Sequence, residues 1–107
     1  MKGADLIQEY LAIFCSGERL ARMYPLFCPD LYVKGPLFEG QSAKEYVEAL
    51  EANPPLNVHA THISIQEDKE HFILRYTLHK ADHRTLEIQQ TFLLRANKIA
   101  SIHIEFS

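Results

Sequence analysis

Two polar residues, Tyr10 and Gln90, interrupt segments whose other residues on the same face are apolar. Burying an amide without a partner costs on the order of 1–3 kcal/mol, so a plain core would more cheaply carry Val or Leu in place of Gln90. Gln90 therefore either pairs with a neighbour such as a tyrosine hydroxyl or faces a cavity that holds water or a ligand. In the second case the amide would form hydrogen bonds with that water or ligand.

Histidine is the next source of acid–base or metal chemistry, and the sequence contains six. None of them lies in a metal-ligand spacing such as H-E-x-x-H, and no C-x-x-C is present, so we expect no metal site. His62 is a catalytic candidate because it points inward if Val58 and Ala60 point inward. The alternative register turns Ile63 and Ile65 inward instead.

Few other side chains offer reactive chemistry. Asp30 and Glu39 could supply an acid or a base at a pocket mouth, although Asp is favoured in turns and Glu39 suits a solvated surface. Cys15 and Cys28 are typical of small apolar core residues. The chain has no Gly-rich phosphate loop, so we expect no nucleotide cofactor and no cofactor of another kind.

Helical periodicity dominates the first part of the chain. An apolar face at i, i+3 and i+4 spacing predicts a first helix that ends at Gly17. A second helical segment starts at Glu18 and breaks at Pro25, because proline lacks the backbone N–H that continues a helix. We expect a short extra turn over 25–28 and an end at the Cys-Pro-Asp stretch that follows.

A third helix is predicted from an S-x-x-E capping box formed by Ser42 and Glu45, and it closes at 53–55. Three tyrosines of the first half are candidates to line a cavity or, more commonly for aromatic residues at helical spacing, to belong to the core: Tyr24, Tyr32 and Tyr46.

From Leu56 the apolar period changes from about 3.6 to 2 residues, which predicts strands. The predicted strands cover 58–65, 71–79, 85–95 and 98–106. A tight turn at Ala96-Asn97 joins the last two, since Asn tolerates the positive φ of hairpin turns. Helices followed by a meander of strands predict an α+β domain with the helices on one face of the sheet.

Alternation sorts the last three strands into two faces. The face predicted to meet the helices is apolar except for an amide and a phenol: Phe72, Leu74, Tyr76, Leu78, Leu86, Ile88, Gln90, Phe92, Leu94, Ile102, Ile104 and Phe106. The opposite face mixes apolar, hydroxyl and charged residues, Ile73 and Leu93 among them. Because the helices cover the first face, we expect the mixed face to form a homodimer contact. An ordinary solvated face is the alternative.

Composition restricts the classes of function. The chain has 107 residues, 47% of them hydrophobic, and a net charge of −3. These values predict one globular domain over 1–107 and argue against nucleic acid as the main partner, because phosphate binding needs a basic face. The opening 16 residues lack the apolar core of a signal peptide, no run could span a membrane, and the two cysteines form no disulfide scaffold. We therefore expect a cytoplasmic protein that does not bind membranes.

The order of these elements resembles that of the nuclear transport factor 2-like (NTF2-like) superfamily, which includes ketosteroid isomerases, SnoaL-like polyketide cyclases and scytalone dehydratases. The resemblance rests on Gly17 after the first helix, Gly35-Pro36 after the second, Gly40 before the capped third, and the final strands with their turn and Lys98-Ile99. It covers nearly the whole chain. It implies a cone, in which a strongly curved, mostly antiparallel sheet wraps around three N-terminal helices and leaves an apolar pocket open at one end.

The resemblance to the isomerases also suggests roles for individual residues. Those enzymes hold an oxyanion with a tyrosine of the first helix and a protonated acid of the third strand, and Tyr10 and Gln90 match these positions. Their general base is an aspartate just before a proline, where this chain has Gly35 before Pro36. Glycine cannot accept a proton, and proton abstraction needs a base within ~3 Å of the carbon-bound proton. Ketosteroid-type isomerisation is therefore not expected.

Together these observations predict a protein that binds a small, largely apolar molecule, of a cyclic or polyketide-like kind, in an apolar pocket. The resemblance implies isomerase-, cyclase- or dehydratase-like chemistry for such a pocket. The expected ligand-binding residues are Tyr10, Phe14, Phe27, Leu74, Tyr76, Gln90, Phe92, Ile104 and Phe106. The alternative is a non-enzymatic dimerisation or protein-interaction module of the same fold, which a pocket filled by large side chains would favour.

Overall fold

The protein, described over residues 3–107 by a computed structural model, has two α-helices, a 3₁₀ helix and six strands in this part of the chain. The helices are α1 (Gly3–Ser16), the 3₁₀ helix (Leu20–Leu26) and α2 (Ala43–Ala52). The strands are β1 (Phe27–Lys34), β2 (Glu39–Gly40), β3 (His59–Asp68), β4 (His71–His79), β5 (Thr85–Arg95) and β6 (Lys98–Phe106).

All six strands form one sheet in the order β2-β1-β6-β5-β4-β3. Every neighbouring pair is antiparallel except β1 and β6, which run parallel. The register shifts within three of these pairs, and such bulges bend and twist the strands that carry them. The helices pack against one face of this bent sheet, so the predicted α+β class is confirmed.

The helix ends follow the local sequence signals. Gly17 adopts a φ of 66°, the left-handed conformation that glycine reaches without steric cost, directly after α1. At the start of α2 the Ser42 side chain accepts a hydrogen bond of 3.0 Å from the backbone N–H of Glu45. Both predicted helix boundaries are thereby confirmed.

The second helical segment and the strand count were predicted incorrectly. A 3₁₀ helix that includes Pro25 lies where we expected a helix that breaks at Pro25. Strand β1 follows it, whereas we expected a short turn over 25–28 and the end of the helical segment at 28–30. β1 shows no clean alternation and contains Pro29, which cannot donate to a strand neighbour. It is held as a strand by its parallel partner β6, a contact that local pattern cannot reveal.

The last three strands and their faces agree with the alternation pattern. β4, β5 and β6 have the predicted bounds, and Ala96 and Asn97 both adopt positive φ, 53° and 61°, in the β5–β6 turn. The residues assigned to the helix-facing side are buried or half-buried apart from Phe106, which is 40% exposed at the end of β6.

Strand β3 resolves the register that the sequence left open. Val58 and Ala60 pack against the core, and so does Ile65, five residues further on. This change of parity arises from a bulge between Thr61 and Ser64, where the pairing with β4 shifts. Val58 and Ala60 therefore agree with the first register and Ile65 with the second, whereas His62 and Ile63, in the bulge, are exposed.

Candidate functional site

Tyr10 and Gln90 lie in direct contact inside the sheet. The Gln90 Nε2 amide donates a hydrogen bond of 3.0 Å to the Tyr10 hydroxyl across 80 residues of sequence. The two side chains meet because Tyr10 occupies the sheet-facing side of α1 and Gln90 an inward position of β5. Their proximity, predicted from helical spacing and strand alternation, is present in the structure.

Two further tyrosines extend this contact into a buried chain of hydrogen bonds. The Tyr76 hydroxyl donates to Gln90 Oε1 at 2.8 Å, and the Tyr10 and Tyr46 hydroxyl oxygens lie 2.6 Å apart. Tyr76 comes from β4, whereas Tyr46 comes from α2. We call these four residues the tyrosine–glutamine chain; it joins two helices and two strands through the centre of the molecule.

The tyrosine–glutamine chain is closed to solvent in this structure. Tyr10 is 0% exposed and Gln90 2% exposed. The Tyr10 ring contacts Phe27 and Phe92 with ring centroids 6.1 and 5.4 Å apart, and all three residues belong to the hydrophobic core. Gln90 therefore has tyrosine partners, the first of the two situations considered from the sequence, and large aromatic side chains fill the space around it.

Burial determines the ionisation of these phenols. Desolvation raises the pKa of Tyr10, Tyr46 and Tyr76, because a phenolate is poorly solvated in the core. For Tyr10 the hydrogen bonds with Tyr46 and Gln90 act in the opposite direction and lower its pKa. Negative charge in this region is thus best accommodated at the Tyr10 oxygen, between the hydroxyl of Tyr46 and the amide of Gln90.

The tyrosine–glutamine chain contains more donor protons than hydrogen bonds. The three phenols carry one proton each and the amide carries two, whereas the chain contains three hydrogen bonds. Every buried polar side-chain atom of residues 3–107 has at least one hydrogen-bond partner, but two protons, one on a hydroxyl and one on Gln90 Nε2, are not used in the three bonds. The chain is therefore suited to meet an additional acceptor oxygen.

Gly35 lies in the loop after β1, at the position that matches the general base of the isomerases. The Gly35 N–H donates to the Phe38 carbonyl at 2.8 Å, which fixes the loop after β1. A Cβ atom on Gly35 would lie 3.2 Å from the Cβ atom of Ile104. An aspartate at this place would have to displace Ile104, so the departure from the isomerase pattern is matched by the packing.

The two carboxylates considered as substitutes lie on the surface. Asp30 belongs to β1 and forms an ion pair with Arg95, Oδ1 to Nη2 at 2.5 Å. Glu39 is exposed and accepts a hydrogen bond of 3.2 Å from the Tyr32 hydroxyl. Among residues 3–107 the buried polar side chains other than tyrosine are Thr77 and Gln90, so no described carboxylate or imidazole is buried beside the tyrosine–glutamine chain.

Some of the other predicted site residues lie in the core, and two lie toward the end of β6. Phe27, Leu74 and Phe92 are fully buried around the tyrosine–glutamine chain. Ile104 is the Cα partner of Gln90 on β6 and is half-buried, and Phe106 lies two residues beyond it. Solvent exposure therefore increases along β6 from Ile104, beside Gln90, to Phe106.

Phe14 lies close to the tyrosine–glutamine chain, whereas His62 does not. Phe14 is half-buried, with its ring centroid 6.3 Å from that of Tyr10. His62 is exposed in the bulge of β3 and contacts Thr61, so the structure does not bring it to Tyr10 and Gln90. The sequence offered Tyr46 as a cavity or core residue, but only the packing of α2 shows that it pairs with Tyr10.

Within residues 3–107 no three His, Cys, Asp or Glu side chains are already gathered as a metal-binding group. None of the helices over the same residues combines the length and the hydropathy needed to cross a bilayer.

Comparison with solved structures identifies the fold. An NTF2-like protein of unknown function from Cytophaga hutchinsonii matches with a TM-score of 0.81 and 16% identity, over 100% of this chain and 91% of that one. A candidate isomerase of the SnoaL-like family from Agrobacterium tumefaciens matches with a TM-score of 0.76 and 12% identity, over 97% and 96% of the two chains. A candidate polyketide cyclase from Pseudomonas putida gives 0.79 and 17%, over 97% and 90%.

The chain therefore has the NTF2-like fold, as the resemblance implied. No protein-family model and no curated protein matches the sequence. At these sequence identities the similarity establishes the architecture, and the function has to be argued from the residues themselves.

Proposed function

We propose that the protein binds a small, largely apolar molecule that carries one acceptor oxygen, a carbonyl or a phenolate, at the tyrosine–glutamine chain. The observation that carries this proposal is the donor surplus of that chain. A core built only for stability would not need protons that lack acceptors, because such groups lose free energy when they leave water. An acceptor oxygen from a ligand would satisfy them.

Binding requires the open end of the sheet to give way. Ile104 and Phe106 follow Gln90 toward solvent along β6, and Phe38 lies on the facing side, with its ring centroid 5.8 Å from that of Tyr46. Rotation of these half-buried and exposed side chains would admit a ring system between the sheet and α2. The ligand would then replace side-chain contacts with its own apolar surface.

We propose a binding role, and we assign proton transfer to no residue of the protein. The candidate isomerase and cyclase among the similar structures support an enzyme-like use of the fold. The interior described here offers phenols of raised pKa and an amide, which hold an oxygen atom but abstract no proton from carbon at neutral pH. A ligand-binding role makes use of every polar group that is present.

The test compares two ligands that differ by one oxygen. A bicyclic ketone and the hydrocarbon of the same skeleton are titrated into the protein, and ligand-induced changes in NMR spectra and melting temperature are followed. We expect the ketone to bind more tightly, and Tyr10→Phe to weaken ketone binding about tenfold, the loss of roughly one hydrogen bond. Tyr32→Phe, which alters an exposed tyrosine, serves as the matched control and should leave ketone affinity unchanged.

Equal affinity for ketone and hydrocarbon would show that the donors do not select an oxygen. Failure of every cyclic ketone to bind at millimolar concentration would favour the second candidate function, a non-enzymatic interaction module. The specific observation in favour of that module is the filled interior, in which Phe27, Phe92 and the tyrosines already occupy the space of a pocket. Such a core needs no ligand to be stable.

A further inference from the structure

Three histidines and a threonine meet where β3 begins and β4 ends, outside the interior described above. His59 and His79 are Cα partners across the two strands. Their imidazole rings stack in parallel, with centroids 4.5 Å apart and an angle of 2° between the ring planes.

A single hydroxyl group brings two of the imidazoles together. The Thr61 Oγ1 atom lies 2.7 Å from His79 Nε2 and 3.0 Å from His62 Nδ1. Two ring nitrogens on neighbouring strands therefore converge on the same point, which the Thr61 hydroxyl occupies. Such convergence of nitrogen atoms is the geometry that a metal ion requires of its ligands.

The backbone of β3 departs from regular geometry to produce this convergence. In a regular strand His62 and Thr61 would point to opposite faces of the sheet. The bulge between Thr61 and Ser64, with His62 at a φ of 54°, allows the two neighbouring side chains to contact each other. A left-handed conformation costs a residue other than glycine roughly 1–2 kcal/mol.

We propose that His62 Nδ1 and His79 Nε2 bind a divalent transition-metal ion, Zn²⁺, Ni²⁺ or Cu²⁺, at the point where the Thr61 hydroxyl now joins them. Imidazole nitrogen is a preferred ligand of these three ions and a poor ligand of Mg²⁺ or Ca²⁺. Water completes the coordination. His59, stacked on His79 and exposed, can turn toward the same ion.

This proposal differs from what the sequence spacing predicts. The ligands His62 and His79 are 17 residues apart and belong to different strands, so neither fits a short metal-binding motif. The bulge and the cross-strand pairing bring them together, and both are properties of the folded chain. The proposed ion would bridge the edge strand β3 to β4 and would leave the tyrosine–glutamine chain untouched.

Calorimetric titration of the whole protein with Ni²⁺, Zn²⁺, Cu²⁺ and Mg²⁺ tests the site. We expect one equivalent of each transition-metal ion to bind, Cu²⁺ most tightly, and no detectable binding of Mg²⁺. His62→Ala and His79→Ala should each weaken Ni²⁺ binding at least about tenfold. Thr61→Ala removes the hydroxyl that now occupies the proposed site and should leave Ni²⁺ binding within about threefold of the original.

Two matched variants exclude other origins of binding. His103→Ala removes an exposed histidine of β6 and should have no effect on the Ni²⁺ affinity. Cys15→Ser removes the thiol that lines the same surface groove as His59 and should also have no effect. Imidazole NMR signals of His62 and His79 should shift or broaden on addition of Ni²⁺.

The proposal is overturned if no transition-metal ion binds at millimolar concentration, or if Ni²⁺ binds equally well to the His62→Ala and His79→Ala variants. Loss of binding in His103→Ala or in Cys15→Ser would also overturn it, since the ion would then have other ligands. Circular dichroism of each variant establishes that the fold is retained before the affinities are compared.

Discussion

Gln90 is the residue on which the polar interior depends. Its oxygen accepts from Tyr76 and its nitrogen donates to Tyr10, so the amide is the link between β4 and α1. The amide accepts at Oε1 and donates at Nε2, two separate atoms, whereas a phenol donates and accepts through one oxygen. Removing the amide therefore changes the hydrogen bonding of two buried hydroxyls at once.

Gln90→Leu is expected to lower the free energy of unfolding by about 1–3 kcal/mol, the cost of leaving buried hydroxyl groups without their partner. The quadruple variant Gln90→Leu, Tyr76→Phe, Tyr10→Phe, Tyr46→Phe removes all the hydroxyls of the tyrosine–glutamine chain as well, including that of Tyr46, whose partner is Tyr10. We expect it to recover most of the loss, since an all-apolar replacement of a polar cluster is close to neutral. Chemical denaturation of the variants measures both values.

A quadruple variant that is less stable than Gln90→Leu would mean that the hydrogen bonds themselves hold the core together. A quadruple variant as stable as the native protein would mean that stability does not explain the tyrosine–glutamine chain, which would support its use in binding. Gln89→Leu, next along β5 on the opposite face, is the control and should have a small effect.

The buried phenols also give the protein a pH dependence at alkaline pH. Burial raises the pKa of Tyr10, Tyr46 and Tyr76 above the ordinary value of 10.0 that the unfolded chain would show. The unfolded state therefore loses these protons first as the pH rises. The stability that they contribute is complete below about pH 10 and declines above it, through the raised pKa values of the folded state.

Urea unfolding at a series of pH values from about 8 to 11.5 measures this decline. Absorbance of phenolate in the folded protein should report Tyr24 and Tyr32, which are the more exposed tyrosines, before the three buried ones. A Tyr76→Phe variant should show a shallower decline above pH 10. An unchanged slope in that variant would contradict the assignment.

At the scale of elements, strands with strict alternation could be predicted from the sequence and β1 could not. β4 and β5 alternate because one face is covered by helices and the other is not. β1 lies between β2 and β6, contains Pro29, and shows two consecutive buried and two consecutive exposed residues. Its strand conformation depends on a partner more than 60 residues away, and no local pattern encodes that contact.

The β5–β6 turn contains one residue that fits poorly. Ala96 adopts a φ of 53°, and a Cβ atom makes that conformation unfavourable. Ala96→Gly should raise the free energy of unfolding by about 0.5–1 kcal/mol, because glycine reaches positive φ without a steric penalty. Thermal and urea unfolding measure the difference.

Ala81→Gly supplies the comparison for this turn. Ala81 lies in the β4–β5 loop and is not among the residues with positive φ, so glycine there should reduce stability or leave it unchanged. If Ala96→Gly were destabilising to the same extent as Ala81→Gly, the conformation described for Ala96 would be incorrect.

At the scale of the whole molecule, none of the helices described over residues 3–107 covers the outer face of the sheet. Ile73 and Leu93 lie half-buried on this face among hydroxyl and charged side chains. A mixed face of this kind is typical of the interfaces between subunits. We propose, as the alternation of the strands predicts, that two copies of the chain associate through it.

Leu93→Asp should convert such a dimer to a monomer, because it places a charge at the centre of the contact. Light scattering after size-exclusion chromatography should give twice the chain mass of 12.3 kDa for the native protein and a single chain mass for the variant. Ala81→Asp adds the same charge in an exposed loop and should remain dimeric. A native protein that elutes as a monomer at all concentrations would contradict the proposal.

The sequence predicted which residues meet at the candidate site, but not whether a cavity lies between them. Helical spacing and strand alternation place Tyr10 and Gln90 on facing surfaces, and the structure joins them. Whether a cavity lies between them depends on the volumes of Phe92, on the same strand as Gln90, and of Phe27 and Tyr46, which come from β1 and α2. Local patterns state which face a residue occupies, whereas the filling of the interior is a property of all elements together.

The parallel pairing of β1 with β6 has a consequence for how the chain folds during synthesis. Phe27 and Ile99 are Cα partners, so the ribosome must deliver the last strand before β1 can be enclosed in the sheet. Until then the apolar side chains of Leu31 and Val33 lack their covering, and closing so long a loop is slow. A nascent chain arrested before residue 98 should therefore be held by chaperones that recognise exposed apolar segments.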